Sequence, residues 1–441
     1  MNDINNTEKT PIYMDHASTT YPYDECIDII KKDLEHSLFN WGNPSNTYAL
    51  SESPKAIIKE AKTKIAKVIN CDPSEIYFTS GASEGNAFVC SQARASCKGH
   101  AYCSPFEHHN YTERLKREHR APSEDVNTII VEDSYFPNMV KRISDYTGTS
   151  PLDAFKHPFH RLKEFFNYTK FLSEKNSFRY SIYSHMLVDN ITGSIFNVKP
   201  LFAACHELGM LTACDCTQAL GNLKIDVKDL GCDIAVFSGH KVHAPKGIGF
   251  MYISNRITYR IKPLIYGTQQ KEFRGGTENV PYIDALGYAV EKAEDARIYK
   301  LRNGLMLKDQ IIEYLEDFKY KYGVEYTVNE IPCNRCQASI ASTISFSLPN
   351  IESEVIQSIL SDNGIYIGTG SGCSDGSFDT DYIISKLAPK EFQRGTFRLS
   401  FDLHTTFEEV EEVMNGIFKN YIEITGINGG KYNGLEYDIT E

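Results

Sequence analysis

Between about residues 55 and 255, short runs of β-formers alternate with segments of helical period, and nothing else in the chain restricts its fold as strongly. "AIIKEAKTKIAKVI" repeats its apolar residues at helical spacing, "EIYFTS" follows as a strand, and "SEGNAFVCSQARA" returns to a helix. "NTIIVE", "YSIYSHMLVDN", "MLTACD" and "IAVFSG" are further strands. The helix "VKPLFAACHEL" has Pro200 near its start and Gly209 just past its end. Strand and helix in alternation call for a mainly parallel sheet covered on both faces. "GIGFMYI" follows "IAVFSG" too closely for a crossover helix, so it is expected to pair antiparallel.

After about residue 270 the pattern changes. "VPYIDALGYAVEKAEDARIYKLRNGLMLKDQIIEYLEDF" is one long helical stretch, "STISFSLPN" and "TFRLSFDL" alternate as half-exposed strands, and "EEVEEVMNGIFKNYI" is amphipathic. These describe a smaller α+β domain. The expected division is an arm over residues 1–20 packing with the small domain, a large domain over 21–265, a small domain over 266–425 and a flexible tail over 426–441. Residues 135–180, rich in aromatic and basic side chains, read as a surface insertion, a solvated amphipathic helix in preference to a partner-binding segment. A chain of 441 residues is long enough for two or three such cores.

Charge and composition exclude several classes. The net charge of -12 is spread along the chain, which disfavours a nucleic-acid backbone as partner. No run approaches the roughly 20 apolar residues that span a bilayer, and "MNDINNTEKT" lacks the blocks of a secretory signal, so a cytoplasmic location is expected. Twelve cysteines diluted through such a chain read as reduced thiols. "CNRC" (Cys333 to Cys336) could be redox-active or half of a zinc site, but without a second ligand pair it reads as two unrelated loop thiols. No metal site is expected.

In a doubly wound sheet ligands lie outside the carboxyl ends of the strands. After "EIYF" comes "TSGASEGN", where Gly81 permits a tight turn and Ser83 opens a helix, an arrangement that holds an anion or simply caps the helix. After "MLTA" comes Asp215, which by itself decides little. After "IAVF" come Ser238, His240 and Lys241. A lysine there either snorkels to the rim or, desolvated, becomes a nucleophilic amine able to form a Schiff base. Together the three strand ends supply an anion cradle, a carboxylate and an amine. Pyridoxal 5'-phosphate needs those three things, the carboxylate to keep its ring nitrogen protonated and the amine for its aldehyde.

"YMDHASTT", "GNPS", "FTSGASEGN", "EHHN", "DNITG", "CDCTQALG", "SGHKVHAPKGIG", "RGGTEN", "GTGSGCSDG" and "FRLSFDLHTT" resemble, in that order over about residues 11–420, the motifs of the class V aminotransferase family, and within it the NifS-like cysteine desulfurases. The resemblance implies a fold-type I pyridoxal phosphate enzyme, a homodimer with its active site at the subunit interface. Carried over by motif, Lys241 would hold the cofactor, Asp215 would pair with the pyridine nitrogen, Gln218 would meet the phenolic oxygen, and His108, in preference to His109, would stack on the ring. Ala82, Ser83, Ser238 and His240 would bind phosphate, with Thr277 reaching in from the other subunit. Asn190 and Arg398 would hold the substrate carboxylate, the planar fork of arginine meeting both oxygens. Cys373, in a run too glycine-rich for a helix or strand interior, would attack the sulfur of L-cysteine, leaving alanine and an enzyme persulfide for a sulfur-acceptor protein in iron–sulfur cluster assembly or tRNA thiolation.

The chain departs from the family pattern at His16, Ser18, Asp189, Thr192, Ala244, Gly275 and the glycine of "SGC". None removes a role named above. Alternatives are a selenocysteine lyase or another lyase or aminotransferase of the family, and a non-catalytic scaffold, against which the joint presence of Lys241, Asp215, His108, Arg398 and Cys373 argues.

Overall fold

The computed structural model describes residues 10–35, 41–94, 101–104, 106–111, 129–130, 181–207, 209–331, 339–370 and 382–427. The 135–180 insertion, "CNRC" and Cys373 lie outside them.

Among the described residues, seven strands form the larger sheet: β2 (Ile76–Thr79), β3 (Ala101–Cys103), β4 (Ile129–Ile130), β5 (Ile182–Met186), β6 (Leu211–Asp215), β7 (Ile234–Ser238) and β8 (Gly249–Ile253). Their order is β2-β8-β7-β6-β5-β3-β4. Pairs from β7 through β4 are parallel, whereas β8 runs antiparallel to both β7 and β2, as its short connection requires. The strands are apolar on both faces because successive side chains enter different cores. Ala235 and Phe237 join one, with Phe250 and Tyr252, under the helices Glu52–Ile69 and Lys199–Glu207. Ile234 and Val236 join the other, with Met251 and Ile253, under the helix Ala82–Arg94. The open edge at β2 is capped by Gln270, whose amide accepts from Phe78 N–H at 2.6 Å and donates to Phe78 C=O at 3.0 Å, replacing a neighbouring strand.

The second sheet combines β1 (Ile12–Met14), β9 (Thr327–Val328), β10 (Thr343–Ser347), β11 (Ile365–Thr369) and β12 (Thr396–Ser400), in the order β1-β11-β12-β10-β9. β1 pairs parallel with β11, so the first described strand of the chain is an edge of the C-terminal sheet. The strands expected to be half-exposed are buried at every residue in β10 and β12, because helices cover them.

One helix, Val280–Tyr322, joins the two parts. Its 43 residues span about 65 Å, opened by Pro281 in the first turn and stopped by Gly323 in the left-handed conformation. Ile283, Leu286, Ala289 and Val290 pack into the large core, whereas Leu307, Ile311, Leu315 and Phe318 pack into the small one, Phe318 stacking on Phe418 at 4.1 Å. The two hydrophobic cores therefore divide inside this helix. A continuous amphipathic helix shares its apolar stripe between whatever surfaces lie along it.

Close approach of the helix Ala82–Arg94 to the sheet depends on Gly85. A Cβ there would stand 2.6 Å from Val236 Cγ1 and 3.3 Å from Met251 Cγ. Gly85→Ala should lower stability by about 1–3 kcal/mol through overpacking, partly offset by about 0.5–1 kcal/mol of helix propensity. Urea unfolding checks this, and a midpoint equal to wild type would contradict the packing described.

Candidate functional site

Because β8 is the one reversed strand of the larger sheet's described strands, the carboxyl ends of β2, β3, β5, β6 and β7 open on one side. The residues that follow them enclose a cavity of about 540 Å³. Its lining includes Ala82 and Ser83 after β2, His108 after β3, Asn190 after β5, Asp215 and Gln218 at the end of β6, Ser238, His240 and Lys241 at the end of β7, and Arg398 from β12 of the second sheet. The structure thus brings these sequence-predicted residues together. Thr277 is exposed and is not among the residues lining this cavity.

The turn after β1, with Ala17, Ser18 and Thr19, forms a further wall. Lys241 Nζ donates to Ser18 C=O at 2.6 Å and also to Ala17 C=O, and Gln218 Nε2 donates to Ala17 C=O at 2.9 Å. His240 reaches the same turn, its Nδ1 3.1 Å from Thr19 Oγ1, while Thr20 N–H and Oγ1 donate to His240 C=O at 2.9 and 2.8 Å. This arm holds the lysine loop from above.

Arg398 is a buried side chain whose fork is engaged within the protein. It donates to Asp15 Oδ1 at 2.6 Å, to Ser18 Oγ at 2.7 Å and to Asn190 C=O at 2.9 Å. Its acidic partner Asp15 is partly exposed, at 21%, whereas the arginine side chain is 2% exposed. Among the described residues, Arg398 Nε has no hydrogen-bond partner, nor has Thr217 Oγ1, and both residues line the cavity.

On the anion side, Gly81 sits at φ +150°, a conformation that L side chains rarely adopt, and a Cβ there would approach the Ser238 hydroxyl to 3.7 Å. Behind this turn Glu84 accepts Ser80 N–H at 2.8 Å and takes the Arg274 fork at 2.9 and 3.1 Å. Burial pushes the Glu84 carboxyl up, but these donors outweigh it and hold it below its ordinary range. Arg274 of "RGGT" thus clamps the turn within its own chain.

The carboxylate of Asp215 accepts Thr217 N–H at 2.9 Å and Asn86 Nδ2 at 2.9 Å. Burial, chiefly, lowers the pKa of His108, opposed by the Asp215 charge, and Asn110 N–H donates to its Nδ1 at 3.2 Å. His240 falls to about 4 through burial and the nearby Lys241 and Lys246 ammonium groups, so near neutral pH its imidazole is uncharged. Glu107, behind His108, is pushed up to about 8 by burial and by Asp215.

The donor set fits a phosphorylated, planar ligand with an aldehyde. It offers an amine, a carboxylate already oriented by two N–H donors, hydroxyl and imidazole groups beside a glycine turn, and two unpartnered polar atoms. Among the described residues no group of His, Cys, Asp and Glu is arranged to hold a metal ion, and no helix is long and apolar enough to cross a membrane. Sequence reasoning missed Asp15, Asn86, Asn110 and Thr217. All four lie inside motifs that were singled out, but nothing local marks their long-range partners.

Residues 12–131 and 167–413 match the family model Aminotransferase class-V. The chain is 28% identical over 411 residues to a cysteine desulfurase IscS of Clostridium botulinum (strain Hall), covering 91% of this chain and 92% of that protein. It is 29% identical over 415 residues to a cysteine desulfurase IscS of Dictyoglomus turgidum, covering 92% and 93%. A solved NifS-like protein superposes with a TM-score of 0.73 at 23% identity, over 93% of this chain and all but 1% of the other. The apo cysteine desulfurase of Thermococcus onnurineus NA1 gives a TM-score of 0.70 at 19% identity, over 93% and 94%. At those identities the solved structures establish the shared fold.

Glu107 yields a pH prediction. An unfolded glutamate ionises from about pH 4.5, whereas the folded protein keeps this proton to about pH 8. In that window the native state binds the extra proton, so the contribution of this residue to stability falls as pH rises. The melting temperature of Glu107→Gln relative to wild type should therefore climb between pH 4.5 and 8. A difference constant across that window would contradict the buried, protonated carboxyl.

Proposed function

The chain belongs to the aminotransferase class-V family, and from that premise we propose that it is a pyridoxal 5'-phosphate-dependent cysteine desulfurase. The observation that carries the reading is the convergence of Lys241 and Asp215 on one cavity whose rim holds Ser83, Ser238 and the uncharged His240. When bound, the cofactor supplies an electron sink for the bonds at the substrate's α-carbon.

The protein's residues do the rest. Lys241 would hold the aldehyde through its amine, and its Nζ can carry a proton. Asp215, oriented by Asn86 and Thr217, would keep the ring nitrogen protonated. Gln218 would bind the phenolic oxygen and His108 would stack on the ring. Ala82, Ser83, Ser238 and His240 bind phosphate as neutral donors, a role that suits an imidazole whose second proton is suppressed by burial and by its lysine neighbours. Arg398 and Asn190 receive the substrate carboxylate, with Arg398 Nε the donor not yet engaged.

The thiolate of Cys373 attacks the sulfur of L-cysteine. A sulfur–sulfur bond forms, the carbon–sulfur bond breaks with its electron pair passing to carbon, and protonation there releases alanine. Cys373 keeps the sulfur as a persulfide for a sulfur-acceptor protein. A homodimer accords with Thr277 lying exposed, and with Trp41, Tyr259 and Tyr266 presenting large apolar side chains to solvent at 74%, 82% and 78%.

Purified protein given L-cysteine and a reducing thiol should release alanine and sulfide in equal amounts. Cys373→Ser should stop sulfide release, and Lys241→Ala should abolish the visible absorbance of the bound cofactor. Alanine formed without sulfide or persulfide would overturn the proposal.

A further inference from the structure

Asn110 has no role in the reaction as described, yet it sits where three parts of the cavity meet. Its Oδ1 accepts from Asn86 Nδ2 at 3.2 Å, and the same Asn86 amide donates to Asp215 Oδ2 at 2.9 Å. Its Nδ2 donates to Ser83 Oγ at 3.0 Å, and its main-chain N–H donates to His108 Nδ1 at 3.2 Å. Asn86 is buried, so turning its amide over would set a carbonyl against the Asp215 carboxylate at real cost. The chain of bonds therefore has one sense, from Asn86 to Asn110 to Ser83.

That sense has consequences at both ends. A hydroxyl that accepts from an amide keeps its own proton free to donate elsewhere, and Ser83 lines the cavity. An imidazole whose Nδ1 accepts carries its proton, when neutral, on Nε2. We propose that Asn110 is a positioning residue that sets the donor sense of the site, directing the Ser83 hydroxyl proton toward an anionic ligand while fixing the Asn86 amide on Asp215. For the phosphate of the cofactor this rests on the functional reading above, but the polarity argument holds for any phosphate-bearing ligand.

The test contrasts two substitutions. Asn110→Ala deletes the side chain and leaves the Ser83 hydroxyl free to donate. Asn110→Asp keeps the shape and still accepts from Asn86, but it has no donor for Ser83, so the hydroxyl turns its proton onto the new carboxylate and away from the cavity. A space-filling role would make the isosteric Asp the milder change; a polarity-setting role makes it the worse one.

Apo-protein is titrated with pyridoxal 5'-phosphate, pyridoxal and inorganic phosphate, for wild type and both variants, each also with Ser83→Ala. Asn110→Asp should weaken the two phosphate-bearing ligands at least about tenfold beyond Asn110→Ala, while pyridoxal affinity differs by less than about threefold between them. With Ser83→Ala the two variants should bind alike. Asn110→Asp binding phosphate as well as Asn110→Ala overturns the proposal, as does a difference that persists with Ser83→Ala, which would be charge repulsion alone. Nitrogen NMR of His108 should keep an unprotonated Nδ1 in both variants, because that bond comes from the main chain; its loss would make the residue a structural support only. Wild type that binds inorganic phosphate but not pyridoxal 5'-phosphate would sink the functional reading and leave the order of the variants to decide Asn110. Binding neither would sink both.

Discussion

Arg398 and Asp15 form a partly buried ion pair on which the site's construction depends. The guanidinium is 2% exposed, on a strand of the smaller sheet, and it reaches the turn that follows β1. Such a pair pays a desolvation cost that its Coulomb attraction offsets only when further donors and acceptors are satisfied, and removing one partner strands the other. Here Ser18 and the Asn190 carbonyl complete the coordination. Gly368 makes room for it: a Cβ there would come within 2.7 Å of Asp15 Oδ1 and 2.8 Å of Arg398 Nε.

With the turn fixed in this way, its carbonyls at Ala17 and Ser18 are placed to receive Lys241 and Gln218. The amine that would do the chemistry is thus held by main-chain oxygen from an arm belonging to the other sheet. Below it, ionisation is partitioned by surroundings. His240 loses charge through burial beside two lysines, and Glu107 keeps its proton through burial near Asp215. Glu84 stays ionised under the Arg274 fork.

Much of this was legible in the residues. The alternation of strands and helices and the reversal at "GIGFMYI" follow from period and connection length, and Ser83, Asp215 and Lys241 could be picked out because a parallel sheet binds at its carboxyl ends. The division of the cores was not legible. The long helix has apolar residues along its whole length, and only the neighbouring surfaces assign Val290 to one core and Leu307 to the other. The Arg398–Asp15 pair joins residues 383 positions apart, and no local pattern carries that pairing. Asn86 and Asn110 were visible as letters in two motifs, but a neutral amide advertises no function until its partners are in place.

The sequence by itself determined the fold class, the side of the sheet that would carry the site and the residue types available there, because backbone period, turn length and side-chain chemistry are local properties. Tertiary structure alone decided which groups are charged, which way each amide and hydroxyl points, and which face of the arm closes over Lys241. Those depend on burial and on distances between strands of two separate sheets, quantities that exist only once the chain has brought remote segments into contact.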